Sequence, residues 1–123
     1  MENYVKTDKI SDSEAKVMNI IWDLEPVSAK DISVKIEEMY GWKQNTTYTV
    51  ITKLIGKGVV KREDPGYLCS SLVTRAELQK SEARNLIDKL FSGSRKALFS
   101  SLLEDEQISS EELAFLRNMI GKL

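Results

Sequence analysis

Between Gly41 and Arg62 the chain carries Lys43, Lys53, Lys57, Lys61 and Arg62 and no acid, although its formal net charge is −1. A local cationic segment of this kind attracts phosphate; an ordinary solvated face is the alternative. Inside it, Asn45, Tyr48, Thr49, Thr52 and Lys53 fall on one side of a helix counted at about 100° per residue, and Thr47, Val50, Ile51 and Leu54 fall on the other. The outer side thus offers an amide, a phenol, hydroxyls and an ammonium in place of the Glu/Lys mixture usual on a solvated helix. Such groups suit the base edges of a DNA major groove; a plain surface of modest helix formers is the competing explanation.

Other chemistries have little to work with. The chain has no histidine, which excludes Ser-His-Asp and Cys-His nucleophile systems and removes the commonest metal ligand. A single cysteine, Cys69, excludes an internal disulfide and a cysteine metal cluster. The Ser-Lys and lone-carboxylate systems that remain find no supporting spacing, so no enzyme, cofactor or metal is expected. The acids Glu104-Asp105-Glu106, Glu111 and Glu112 read as a solvated loop and a favourable charge pattern at a helix start. Trp22 and Trp42 read as core anchors and Cys69 as a small packing residue, with ligand stacking and redox sensing as the alternatives.

The elements that must position these residues follow from capping signals and apolar period. Ser11-Asp12-Ser13-Glu14 has the form of a capping box, Val17, Met18, Ile21 and Trp22 mark one face, and Pro26 ends the helix. Ser28 with Asp31 starts a second helix, whose buried stripe is expected at Ile32, Ile36 and Met39 and which stops at Gly41. The third helix begins near Asn45 or Thr46 and runs to Gly58. Val59 to Arg62, the turn Asp64-Pro65-Gly66, and Tyr67 to Leu72 then read as a β-hairpin. Three helices followed by a hairpin is the order of a winged helix, in which the third helix enters the major groove and the wing lies along the backbone. Lys61 and Arg62 would sit at the base of the wing and neutralise phosphates.

At Val73 the character changes. Thr74 with Glu77 caps another helix, with Leu78, Leu86, Ile87, Leu90 and Phe91 on one stripe, and Gly93 breaks it. Leu98, Leu102 and Leu103 suggest a further helix, and Ser109 with Glu112 opens a last one carrying Leu113, Leu116, Met119, Ile120 and Leu123. This half is too short to enclose so many large apolar groups alone, so it is expected to pack on a second copy; folding back on the first domain is the alternative. The fold class expected is mainly α with a small β-hairpin: a winged-helix DNA-binding domain over residues 1–73 and a helical dimerisation domain over 74–123. The 123 residues, 41% of them apolar, contain no run long enough to span a bilayer, and Met1 to Asp8 have no leader pattern. A cytoplasmic location without a membrane partner is the expectation.

One further signal comes from order and spacing. The segments Ile10 to Glu14, Val17 to Trp22, Trp42, Thr46 to Leu54, Lys57-Gly58 and Gly66 to Val73, with the capped helices beyond, resemble the penicillinase and methicillin-resistance repressors, winged-helix regulators that include copper-responsive relatives. The resemblance spans nearly the whole chain. It implies a homodimer on double-stranded operator DNA, a pseudo-palindrome commonly built of TACA and TGTA half-sites. Lys43, Asn45, Thr46, Tyr48, Thr49, Thr52 and Lys53 then fall on or beside the reading surface, with Lys61, Arg62 and Tyr67 from the wing. Dimerisation falls to Leu86, Ile87, Leu90, Leu98, Leu102, Leu113, Leu116 and Ile120. Two departures matter. The C-terminal half lacks the paired Cys-x-Cys motifs of copper-responsive relatives, and where β-lactam-responsive relatives are cut at an Asn-Phe bond by the action of a sensor protease this chain has Ser101-Leu102. Proteolytic inactivation at Ser101-Leu102 thus calls for a protease of different preference, or induction follows another signal. A winged-helix module that binds protein and not DNA is the alternative function.

Overall fold

The computed structural model describes residues 9–122, so the leader reading of Met1 to Asp8 and the apolar position Leu123 lie outside the described residues. The described chain divides into two compact units, the first ending at Ala83 and the second beginning at Arg84.

In the first unit, helix α1 spans Asp12–Leu24. Its capping box forms in full: the Glu14 amide donates to Ser11 Oγ at 3.1 Å and the Ser11 amide to Glu14 Oε1 at 2.8 Å. A cap of this kind contributes about 1 kcal/mol. Val17, Met18, Ile20 and Ile21 are buried, with Trp22 packed beside them, its Nε1 donating to the Val73 carbonyl at 3.0 Å. Helix α2 spans Ala29–Tyr40; Ser28 Oγ caps it by accepting from the Asp31 amide, and Gly41 ends it at φ 74°, a conformation that favours glycine. Its buried stripe is Ala29, Ile32, Ser33 and Ile36. Met39, expected on that stripe, is 53% exposed. A three-residue step falls about 60° short of a full turn, so the side chain three beyond Ile36 has rotated to the edge of the face just as the helix stops.

Helix α3 spans Gln44–Gly56 and starts after Lys43, which makes no side-chain cap. Thr47, Val50, Ile51 and Leu54 are buried as the period requires. The hairpin forms from β2, Val60–Glu63, and β3, Leu68–Ser71, antiparallel with Arg62 opposite Cys69. The hairpin expected from sequence gains a third strand: β1, Val27–Ser28, pairs with β3, Val27 opposite Cys69, giving the order β1-β3-β2. Two residues are too few to show an alternating pattern. The Glu25 carboxylate ties the same edge, accepting from the Ser71 amide at 2.7 Å and its hydroxyl at 2.8 Å.

Helix α4, Arg75–Leu90, carries the chain from the first unit into the second. Thr74 and Glu77 cap it reciprocally, and hydrogen bonds from the Thr74 amide and hydroxyl hold the Glu77 carboxyl below its ordinary value. Leu78 joins the core of the first unit. In the second unit α4 ends before Ser92 and Gly93, at φ 50° and 81°, and is followed by α5, Arg95–Leu103, and α6, Ser110–Gly121. Ser94 caps α5, and Ser109 with Glu112 forms a complete capping box on α6. Ile87 is the one buried side chain among the described residues of this unit. Leu98, Leu113 and Leu116 are half-buried, whereas Leu86, Leu90, Leu102 and Ile120 face solvent, with Phe99, Leu103, Phe115 and Met119.

Candidate nucleic-acid interface

The outer face of α3 is open along its length: Asn45, Thr46, Thr49, Thr52 and Lys53 are exposed, as is Lys43 just before the helix. Two of its hydroxyls are already engaged. Thr49 Oγ1 donates to the Asn45 carbonyl and Thr52 Oγ1 to the Tyr48 carbonyl, each at 2.9 Å. This bonding to the preceding turn spends the hydroxyl protons and fixes χ1, so both threonines present a methyl group and acceptor lone pairs to the outside. Donors left on this face are therefore the Asn45 amide, the Thr46 hydroxyl and the lysines. Methyl groups suit thymine methyls and an amide suits adenine. Thr47 lies on the opposite, buried face, where its Oγ1 has no hydrogen-bond partner.

The basic segment does not act as one surface. Lys57 turns inward from the end of α3, and its Nζ lies 2.7 Å from Glu14 Oε1 and 2.7 Å from the Lys9 carbonyl. Glu14 is only 3% exposed. Burial by itself would raise its carboxyl; the Lys57 bond, the Ser11 amide and hydroxyl, and the Lys57 charge outweigh burial and hold it below the ordinary carboxylate value. One carboxylate thereby joins the start of α1 to the end of α3. Nothing in sequence signals a partner so distant along the chain.

In the wing, Lys61 and Arg62 are exposed, and each is paired with an acid two residues on: Lys61 with Glu63 at 3.5 Å and Arg62 with Asp64 at 3.1 Å. Exposed pairs of this kind contribute about 0–1 kcal/mol and exchange readily for another anion. The Arg62 guanidinium lies over the Tyr67 ring, 3.6 Å from its centroid. Tyr67 in turn meets the half-buried Tyr48 of α3 edge-on at 5.6 Å, which brings the wing turn against α3. Tyr67 has φ 49°, a left-handed conformation costing a residue with a side chain on the order of 1–3 kcal/mol. Cys69 is fully buried in the core; burial pushes its thiol up, with a smaller opposing pull from Arg62.

Known proteins share this architecture. A family model described as "Penicillinase repressor" matches residues 10–122. The methicillin resistance regulatory protein MecI of Staphylococcus aureus strain N315 is 34% identical over 119 residues, covering 95% of this chain and 97% of that protein. The chain belongs to the penicillinase-repressor family. A penicillinase repressor of Staphylococcus aureus is 31% identical over 120 residues, covering 96% of this chain and 95% of its own. Among solved structures, the DNA-binding domain of the repressor BlaI superposes with a TM-score of 0.53 at 23% identity, covering 58% of this chain and 90% of that one. That likeness establishes a winged helix. The penicillinase-repressor family is one of DNA-binding transcriptional repressors and not of enzymes.

In this penicillinase-repressor chain the structure brings together the α3 face and the wing turn, within one unit. The expected dimerisation residues belong to α4, α5 and α6, and the bond at Ser101-Leu102 lies inside α5 with both side chains exposed. Trp22 and Trp42 both pack against the core cluster, as anchors do. Among the described residues no group of acids and cysteine is placed to hold a metal ion, and no helix is long and apolar enough to cross a membrane. Three features escaped the sequence: the Glu14–Lys57 pair, the Glu25 clamp on Ser71, and β1. Each joins residues far apart along the chain, and neither period nor spacing records such contacts.

Proposed function

We propose that this chain represses transcription as a homodimer bound to a pseudo-palindromic operator, with residues 1–73 gripping DNA and 74–123 joining the two copies. The observation that carries the DNA contact is the α3 face itself, free of acids and bearing Asn45, Thr46, Thr49, Thr52 and Lys53 beside the paired but exchangeable cations of the wing. Lys43, Lys61 and Arg62 neutralise phosphates, and Asn45, Thr49 and Thr52 meet base edges. A structure of the Bacillus licheniformis BlaI monomer with the blaP half-operator, superposing at a TM-score of 0.51, supports this docking. The open apolar groups of the second unit support the dimer, whose two-fold axis would match that of the operator. Cytoplasmic location follows from the same role. Cleavage at Ser101-Leu102 by a sensor protease that accepts a Ser-Leu bond fits the exposure of both residues and would separate α6 from the rest.

The test is fluorescence anisotropy with a duplex carrying inverted TACA and TGTA half-sites, against a scrambled duplex, across a salt series. A preference of about 10³ or more, with two chains per duplex, is expected. Lys61→Ala or Arg62→Ala should weaken binding to both duplexes and flatten the salt slope by about one, whereas Thr49→Ala should alter preference among operators. Equal, salt-sensitive binding to both duplexes would discard the operator. No binding at low salt would return the fold to protein recognition.

A further inference from the structure

The turn of the wing holds a cluster that phosphate contact alone does not explain. Tyr67 keeps its left-handed backbone, at φ 49°, because four contacts fix it. Its amide donates to Asp64 Oδ1 at 3.3 Å, and its carbonyl accepts from the Ala29 amide, the first of α2, at 2.9 Å. Its ring carries the Arg62 guanidinium on one side and meets the Tyr48 ring at an interplanar angle of 69°. Asp64 closes the circuit by accepting from Arg62 Nε at 3.1 and 3.2 Å. One residue of the turn therefore touches α2, α3 and β2 at once.

We propose that Tyr67 is a positioning residue: it sets the stance of the wing against the reading helix and holds Arg62 ready, so that operator and random DNA are told apart partly by a side chain that need not touch either. This rests on the repressor function proposed above. Stacked on the ring and bound to Asp64 through Nε alone, the guanidinium keeps its Nη groups for a further acceptor while its rotamers are already restricted, which lowers the cost of ordering it on the operator. Random DNA is held mainly by charge, through counterion release, and is indifferent to such ordering. Operator binding needs helix and wing seated together and is sensitive to it.

The experiment compares Tyr67→Asn with Tyr67→Phe on operator and random duplexes. Asparagine tolerates the left-handed turn and deletes the ring, so the backbone is preserved. Tyr67→Asn is expected to lower operator affinity about tenfold and random-duplex affinity less than about twofold, because only the ordered complex depends on the ring. Tyr67→Phe, which keeps both ring contacts, restores operator affinity. In a Tyr48→Leu background the operator effect of Tyr67→Asn should shrink, as coupled neighbours require. Thermal unfolding of each variant accompanies the titrations, and a variant that melts near the wild-type temperature is the one scored.

Equal losses on both duplexes, a Tyr67→Phe as weak as Tyr67→Asn, or strictly additive losses with Tyr48→Leu would overturn the positioning role. A wild-type protein without operator preference overturns the repressor reading and this inference with it, and is distinguished because it shows before any substitution is made.

Discussion

The two compact units solve the burial of apolar side chains in opposite ways. In the first, Met18, Ile21, Ile32, Ile36, Ile51 and Leu54 are fully buried against one another. In the second, Leu90, Phe115 and Ile120 are each more than 60% exposed, although the helices that carry them are as well capped as any in the chain. Good caps and helical period establish a helix, but they do not supply it with a core. The first unit holds its core within itself, whereas the second displays the groups that a partner surface would cover.

Core truncation tests the sharpest side of this contrast. Ile51→Ala should destabilise the first unit by about 4 kcal/mol, read from urea unfolding, because it opens a cavity among fully buried neighbours. Ile120→Ala, at a position 67% exposed, should leave the unfolding of a dilute monomer nearly unchanged. Comparable losses at the two positions would erase the distinction.

The next largest effect is expected at the ion pair that joins α1 to α3. Glu14→Gln should cost roughly 3 kcal/mol, the low end for a broken buried pair because Lys57 retains some contact with solvent. The sign with pH is fixed: the folded carboxyl is held below its ordinary value, so its stabilisation is complete above the unfolded pKa and is lost as pH falls through the folded one. Wild-type and Glu14→Gln stabilities should therefore converge in acid. A gap that stays constant from neutral pH into acid would remove the charge from the explanation.

Smaller still, and confined to the second unit, is the effect of charge on its open face. Leu90→Glu with Ile120→Glu should raise the dimer dissociation constant about 100-fold, close to 2.7 kcal/mol, by sedimentation equilibrium. The melting of the first unit should not move. A monomeric wild-type protein would overturn the proposed dimer, and a double variant that dimerises as before would place the contact elsewhere.

The residues forecast how much of this was legible. Ser11, Glu14, Ser28, Thr74, Ser109 and Glu112 marked helix starts correctly because caps are local. The two faces of α3 separate as the period requires, Thr47 inside and Thr49 outside, except at Tyr48, which was expected on the outer face and is half-buried against the core. Met39 failed where a repeating stripe was extended past the point at which the helix stops touching the core. Lys57 was counted with the basic segment, yet it faces a carboxylate 43 residues away. Lys61 and Arg62, expected to neutralise phosphates, are each paired with an acid two residues further on. The acid-free segment ends at Arg62, and Glu63 and Asp64 follow it at once, so a charge count over that segment misses partners just outside it.

Strand β1 bears on what may be exchanged between related proteins. A two-stranded hairpin alone is marginal in water, and this one draws its third strand from Val27–Ser28 and its clamp from Glu25, both lying before α2. The wing is consequently not a cassette. Transplanting residues 60–71 into another scaffold would leave Cys69 without Val27 and Ser71 without Glu25, so a functional graft must carry the short link between the first two helices as well.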